Sequence, residues 1–168
     1  MKTASISVRS GCRKDAAALG NIREIAWRFA YTGIIPGPTL DKMVGIRLDS
    51  WWRWALKVDS KIDVVEVADI VVGYTTWGPC RSRQLPAKAE IYECYILPEY
   101  HGMGLGTRLL EASRTNARTK YGPGCAIWVL EDNEIGCRFY EARGGKKTAR
   151  TSEKLGEANL EKIAYLWN

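Results

Sequence analysis

The segment Ile91–Leu110, IYECYILPEYHGMGLGTRLL, limits the possible folds more than any other stretch of the chain. It reads as an apolar strand stopped at Pro98, a turn carrying Gly102, Gly104 and Gly106, and an amphipathic helix that Thr107 is placed to cap. Glycine lets a backbone turn tightly and approach a ligand with no side chain between them. The unpaired N–H groups and the dipole at a helix start favour negative charge. A strand, glycine loop and helix in this order therefore predict an anion site, with phosphate as the obvious guest. They also predict that the next strand, the apolar run Ala126–Leu130, lies parallel to the first through a right-handed crossover.

The remaining periodicities build around this unit. Ile6–Arg9 alternates as a short strand, and after Asp15 the residues Leu19, Ile22, Ile25, Ala26 and Phe29 recur at helical spacing. Gly33, Pro36, Gly37 and Pro38 break that helix, and a second is expected from Thr39, continuing through the aromatic run SWWRWAL. Val64–Ala68 and Ile70–Trp77 read as strands joined tightly near Asp69, and Ala89–Leu97 follows a Gly/Pro loop, so an antiparallel meander leads into the glycines. The helix from Thr107 ends at Lys120. A short helix over Ile135–Ala142 stops at Gly144 and Gly145, before strands near Lys146–Thr151 and at Lys162–Trp167.

With 168 residues and 46% hydrophobic content, one domain over residues 1–168 is expected, since domains run to about 100 to 150 residues. The apolar runs are too short to span a bilayer and the N-terminus lacks an apolar signal region, so the expectation is a soluble cytoplasmic chain with no membrane partner. Five scattered cysteines without a CxxC pair, and one histidine, suggest neither a disulfide framework nor a metal site. The net charge of +6 suits an anionic ligand and would also suit a nucleic acid, which stays the less favoured partner. The basic residues Arg138, Arg143, Lys146, Lys147, Arg150 and Lys154 read as a solvated face.

Two readings compete for the glycines. A dinucleotide fingerprint GxGxxG begins at Gly102 and Gly104, with Glu131 or Asp132 near a ribose position, but no third glycine falls in register and antiparallel strands precede it. Alternatively, ILPEYHGMGLGTRLLEA resembles the pyrophosphate motif of the GNAT superfamily of N-acetyltransferases, with Ile96, Pro98, Gly104, Gly106, Leu109 and Leu110 in register. DNEIGCRFYEARGG resembles that family's second cofactor motif through Asn133, Phe139, Tyr140, Glu141 and Gly144. His101 departs from the pattern where arginine or glutamine is usual, and Gly145 where an aromatic is common. The resemblance implies an α/β fold with a mixed, mostly antiparallel sheet of six to seven strands, about four helices and a parallel splayed pair flanking the glycine loop.

It also implies acetyl-CoA as co-substrate, lying between the strands that end at Leu97 and Leu130. Backbone groups of Ile96 and Leu97, after which Pro98 turns the chain, would pair with the pantetheine amides as a strand edge would. His101, Gly102, Met103, Gly104, Leu105, Gly106 and Thr107 would hold the diphosphate, and Asn133 would bond or orient the cofactor. Tyr140 is the candidate general acid beside the sulfur, and Glu90 the candidate base, six residues before Ile96 on an AEI-type strand. Strand alternation puts Glu90, Tyr92, Cys94 and Ile96 on one face and Glu93 on the other.

The acceptor is expected to be a primary amine on a small molecule rather than a protein. It would be held in an aromatic pocket drawn from Trp27, Tyr31, Trp77 and Tyr92, with Trp51 and Trp54 further candidates. Large aromatics on helices more often pack in the core. A homodimer is the expected assembly. A catalytically silent acyl-CoA-binding module is the alternative, keeping the loop without needing Glu90 or Tyr140.

Overall fold

The computed structural model describes residues 4–57 and 59–168. Its elements run β1 (Ile6–Ser10), α1 (Ala16–Tyr31), α2 (Gly37–Gly45), α3 (Asp49–Ala55), β2 (Ile62–Val67), β3 (Ile70–Pro79) and β4 (Ala89–Ile96). They continue with α4 (Leu105–Tyr121), β5 (Cys125–Leu130), α5 (Glu134–Ala142), β6 (Lys146–Leu155) and β7 (Ala158–Trp167). The seven strands form one sheet in the order β1-β2-β3-β4-β5-β7-β6, antiparallel throughout except for β4–β5. The expected mixed sheet with one parallel pair at the glycine loop is therefore the fold, with five α-helices rather than about four.

The extra helix comes from a break in the expected second one. Gly45 ends α2, Leu48 is extended (φ −73°, ψ 165°), and α3 restarts at Asp49. The break turns Arg47 inward to an ion pair with Glu93 on β4. The last two strands are also longer than expected, meeting in a hairpin at Gly156 (φ 62°). Most of β6 is solvated on both faces, so no apolar alternation marks its true length.

Helices cover both faces of the sheet, and adjacent β3 residues show the division. Tyr74, fully buried, packs its ring edge-on to Trp52 of α3 (5.1 Å between centroids), while Thr75 hydrogen-bonds Ser113 of α4 at 2.5 Å. On the α4 side, Leu110 and Ala117 pack with Ile91, Ile127, Tyr140 and Tyr165, which brings α5 onto that face. Beneath α4 the buried Asp63 accepts from Trp77 Nε1 (2.9 Å), Ser113 Oγ (2.8 Å) and Asn116 Nδ2 (3.1 Å). Truncating Asp63 to alanine strands these donors, each with a desolvation cost of its own. Denaturant unfolding of Asp63→Ala is expected to show a loss of about 2 kcal/mol or more.

Two irregularities in β4 create the site. Thr76 faces Glu93 but Trp77 faces Ile91, so Tyr92 is an extra residue, a β-bulge. Beyond it β4 leaves β5, since the parallel pairing covers only Ala89–Ile91 against Cys125–Ile127. The two strands thus diverge toward their C-terminal ends, and the glycine loop and α4 start where they part.

Candidate functional site

The loop after β4 is built by its glycines. A 3-10 turn over Pro98–Tyr100 leads to Gly102 (φ 78°) and Gly104 (φ 76°), both in the left-handed region that side chains resist. Gly104 is the N-cap of α4, which starts at Leu105 rather than at Thr107. Thr107 does not cap; its hydroxyl accepts from Arg143 Nε at 2.6 Å. A Cβ on Gly104 would meet no protein atom within 4 Å, so the space over the N–H groups of α4 is open. Gly106 serves packing instead, because a Cβ there would lie 3.1 Å from the Phe139 ring.

This loop, the splayed strands, α1 and α5 enclose a cavity of about 690 Å³. Of the expected cofactor residues, Ile96, His101, Gly102, Gly104, Leu105, Gly106, Thr107, Asn133 and Tyr140 line it. Leu97, Pro98 and Met103 do not, and the Leu97 amide, expected to meet a ligand, donates to Val72 O at 2.9 Å within the sheet. His101 is turned toward the protein: Nε2 donates to Ile96 O at 3.0 Å, and its ring stands edge-on to Phe29. The Ile96 carbonyl is thus already engaged. Asn133 is the N-cap of α5, its Oδ1 accepting from Gly136 N at 3.1 Å.

Tyr140 sits in the wall shared by α5 and the splay, next to Cys94. Burial raises its phenol well above the ordinary range, with the Cys94 thiol adding to the rise. Burial likewise pushes Cys94 up to about 12. Both groups are therefore protonated near neutral pH.

Glu90 stands apart from the other expected site residues. It is only 1% exposed, lies outside the cavity, and is held by Arg81 of the β3–β4 loop through Nη2 (2.7 Å) and the backbone N–H (2.8 Å). The bulge at Tyr92 is the reason: Ile91 and Cys94 both join the cluster on the α4 side, which uninterrupted alternation forbids. The series Glu90, Tyr92, Cys94, Ile96 is therefore not one face, and Glu93 becomes the carboxylate in the cavity wall. Glu93 accepts from Tyr74 Oη and Thr76 Oγ1, each at 3.2 Å, and from Arg47, and pairs with Arg23 Nε at 3.7 Å.

The aromatic residues divide as well. Tyr31 and Tyr92 line the cavity. Trp77 does not, being buried with its Nε1 on Asp63, and Trp27 stands behind Tyr31 with the Arg23 guanidinium over its ring at 4.1 Å. Trp51 packs against the core and Trp54 is exposed, both away from the cavity. Sequence reasoning missed Tyr95, whose hydroxyl bonds that of Tyr31 at 2.8 Å, and Arg143, which brings a guanidinium to the first turn of α4. No periodicity marks either; only the bulge and the approach of α5 to α4 assign them. Among the described residues no cluster of His, Cys, Asp or Glu could hold a metal ion, and no helix is long and apolar enough to cross a membrane.

Comparison with known proteins agrees with this geometry. A family model described as acetyltransferase (GNAT) family matches residues 20–145. An uncharacterized N-acetyltransferase YuaI of Bacillus subtilis is 24% identical over 163 residues, 96% of this chain and 92% of its own length. A spermidine N(1)-acetyltransferase of Thermoplasma acidophilum is 22% identical over 84% of this chain and 89% of its own. Among solved structures, the PaiA N-acetyltransferase of Thermoplasma acidophilum in complex with coenzyme A superposes with a TM-score of 0.74 at 19% identity, covering 95% of this chain and 98% of that one. The putative acetyltransferase YncA of Salmonella typhimurium with acetyl-CoA gives 0.69 at 22% identity, covering 96% and 92%.

Proposed function

This chain belongs to the acetyltransferase (GNAT) family, and from that premise we propose that it moves an acetyl group from acetyl-CoA to the primary amine of a small molecule. The observation that carries the reading is the junction where β4 leaves β5, open to the glycine loop on one side and walled by Tyr140 on the other. The residues suit the co-substrate. The N–H groups at the start of α4, the bare Gly104 and the Arg143 guanidinium make an anion cradle that suits a diphosphate. The diverging strand edges beyond Ile91 and Ile127 leave backbone groups for an extended chain of amides. Relatives named for acetyl transfer, one of them to spermidine, support a small amine as acceptor.

Acetyl-CoA supplies an activated acyl carbon on a thiol leaving group. The amine nitrogen forms the new N–C bond as the C–S bond breaks, and Tyr140 gives its phenolic proton to the departing sulfur. Tyr140 regains a proton as the amine loses one, so an amide and a free thiol are the products. No carboxylate is needed beside the nitrogen. Glu90 is committed to Arg81 outside the cavity, and the Glu93 oxygens are already occupied by Arg47, Tyr74 and Thr76, so the amine proton leaves through water.

This makes Glu90→Gln a specific test: the pH profile of acetylation is expected to stay where it is, while thermal stability falls with the loss of the Arg81 pair. A displaced acid limb in that variant would restore Glu90 as the base. An acid with a raised pKa loses its proton later, so the alkaline loss of activity is expected above the ordinary phenol range. The function itself is tested by following free thiol as the protein turns over acetyl-CoA with an amine panel. CoA binding without thiol release from any amine would leave only a binding module.

A further inference from the structure

The acceptor side of the cavity carries more information than the family does. Its wall toward α1 and β4 carries Phe29, Tyr31, Tyr92 and Tyr95, with the small Ala26 and Ala30 among them. One carboxylate, Glu93, enters this wall, and it is compensated from behind. The Arg23 and Arg47 guanidiniums both pair with it, so two positive charges stand against one negative at that spot. Arg23 and Glu93 have side chains only 6% and 8% exposed and Arg47 only 23%, so solvent screens the second positive charge incompletely.

The tyrosine pair adds a polar mark to the slot. Tyr31 and Tyr95 share one hydrogen bond of 2.8 Å between their hydroxyls. A phenol has one donor and two acceptor positions, so the pair keeps one O–H and several lone pairs unspent. Both rings pack on Trp27, at 5.1 and 6.2 Å between centroids, and the far face of that arrangement is closed by the Arg23 guanidinium. The hydroxyls are thus held in position.

We infer that the acceptor is an amine with a single nitrogen on an apolar body, its N–H groups received by the Tyr31–Tyr95 hydroxyl pair. This rests on the acetyltransferase reading and narrows its substrate. Phenol oxygens accept from N–H without demanding a charge, which suits a nitrogen that must be neutral to react. The aromatic walls bury an apolar body. A polyamine fits the slot poorly, because a second ammonium would stand against the net positive Glu93 cluster or have to reach Asp132 or Glu134, both exposed. Tyr31 and Tyr95 are the specificity-determining residues.

The test compares 2-phenylethylamine with spermidine as acceptors, following thiol release, and measures amine binding to the CoA-loaded protein by quenching of intrinsic fluorescence. The expected result is a kcat/KM at least tenfold higher for 2-phenylethylamine. Tyr95→Phe and Tyr31→Phe should each raise its KM and weaken its binding several-fold, with CoA affinity unchanged by calorimetry. A preference for spermidine, lowered by Asp132→Asn or Glu134→Gln, would overturn the inference while leaving acetyl transfer intact. Unchanged amine KM in both tyrosine variants would overturn it as well. Failure to bind CoA at all would remove the reading beneath it, and the inference with it.

Discussion

Tyr140→Phe is expected to lower turnover by about 10² to 10⁴-fold, the usual contribution of a positioned proton donor, while the affinity for CoA stays unchanged. The hydroxyl is the only group removed, and the ring stays packed against Phe139, Tyr165 and Trp167. Loss of fold is therefore not a competing explanation, and a thermal melt should overlay that of the parent. Burial supports the role rather than weakening it. A phenol raised above its ordinary range is fully protonated at neutral pH, and a thiolate leaving in the same dry wall is itself more basic than in water, so the transfer remains matched. Full activity in Tyr140→Phe would mean that solvent protonates the sulfur.

The second large effect is on stability. Glu93→Ala is expected to cost about 3 to 5 kcal/mol in denaturant unfolding, because it leaves Arg23 and Arg47 as buried or half-buried cations without their partner. Arg23 is partly supported by the carbonyls of Met43 and Val44, to which its Nη1 donates at 3.0 and 3.2 Å, but its buried Nε has no hydrogen-bond partner and only the Glu93 charge, 3.7 Å away, beside it. The damage should spread along these contacts to α1, α2 and the break before α3, all of which converge on this carboxylate. Glu93→Gln, which keeps the shape and one acceptor oxygen, should cost less. Equal stability of Glu93→Ala and the parent would show that the cluster contributes little net energy.

Much of the fold was legible in the chain, and the reasons for the rest are physical. Ile91–Leu110 carries its strand, turn and helix in its own residue types, so the parallel crossover and the open start of α4 follow from local chemistry. The bulge at Tyr92 has no such mark. Tyr92 and Glu93 are ordinary strand residues, and the extra residue exists because β3 and β4 pair on both sides of it out of register. Reading β4 with strict alternation therefore put Glu90 in the site and Glu93 away from it, the reverse of what the pairing does. Thr107 failed as a cap for a related reason: Gly104, able to take φ 76°, starts the helix earlier and releases the Thr107 hydroxyl to Arg143. His101, the residue departing from the family pattern, bonds the Ile96 carbonyl and so joins the loop back to the strand that precedes it.

The measurement that bears most directly on the account is a calorimetric titration of CoA into the protein and into Gly104→Asp. Aspartate is among the few side chains found in the left-handed region, so the variant should fold with a melting temperature lowered by the strain at φ 76°, and the titration is run well below that temperature. It also puts a carboxylate where the diphosphate is proposed to sit. One CoA per chain is expected for the parent, and at least tenfold weaker binding for Gly104→Asp. No binding to the parent, or equal binding to both, would contradict it.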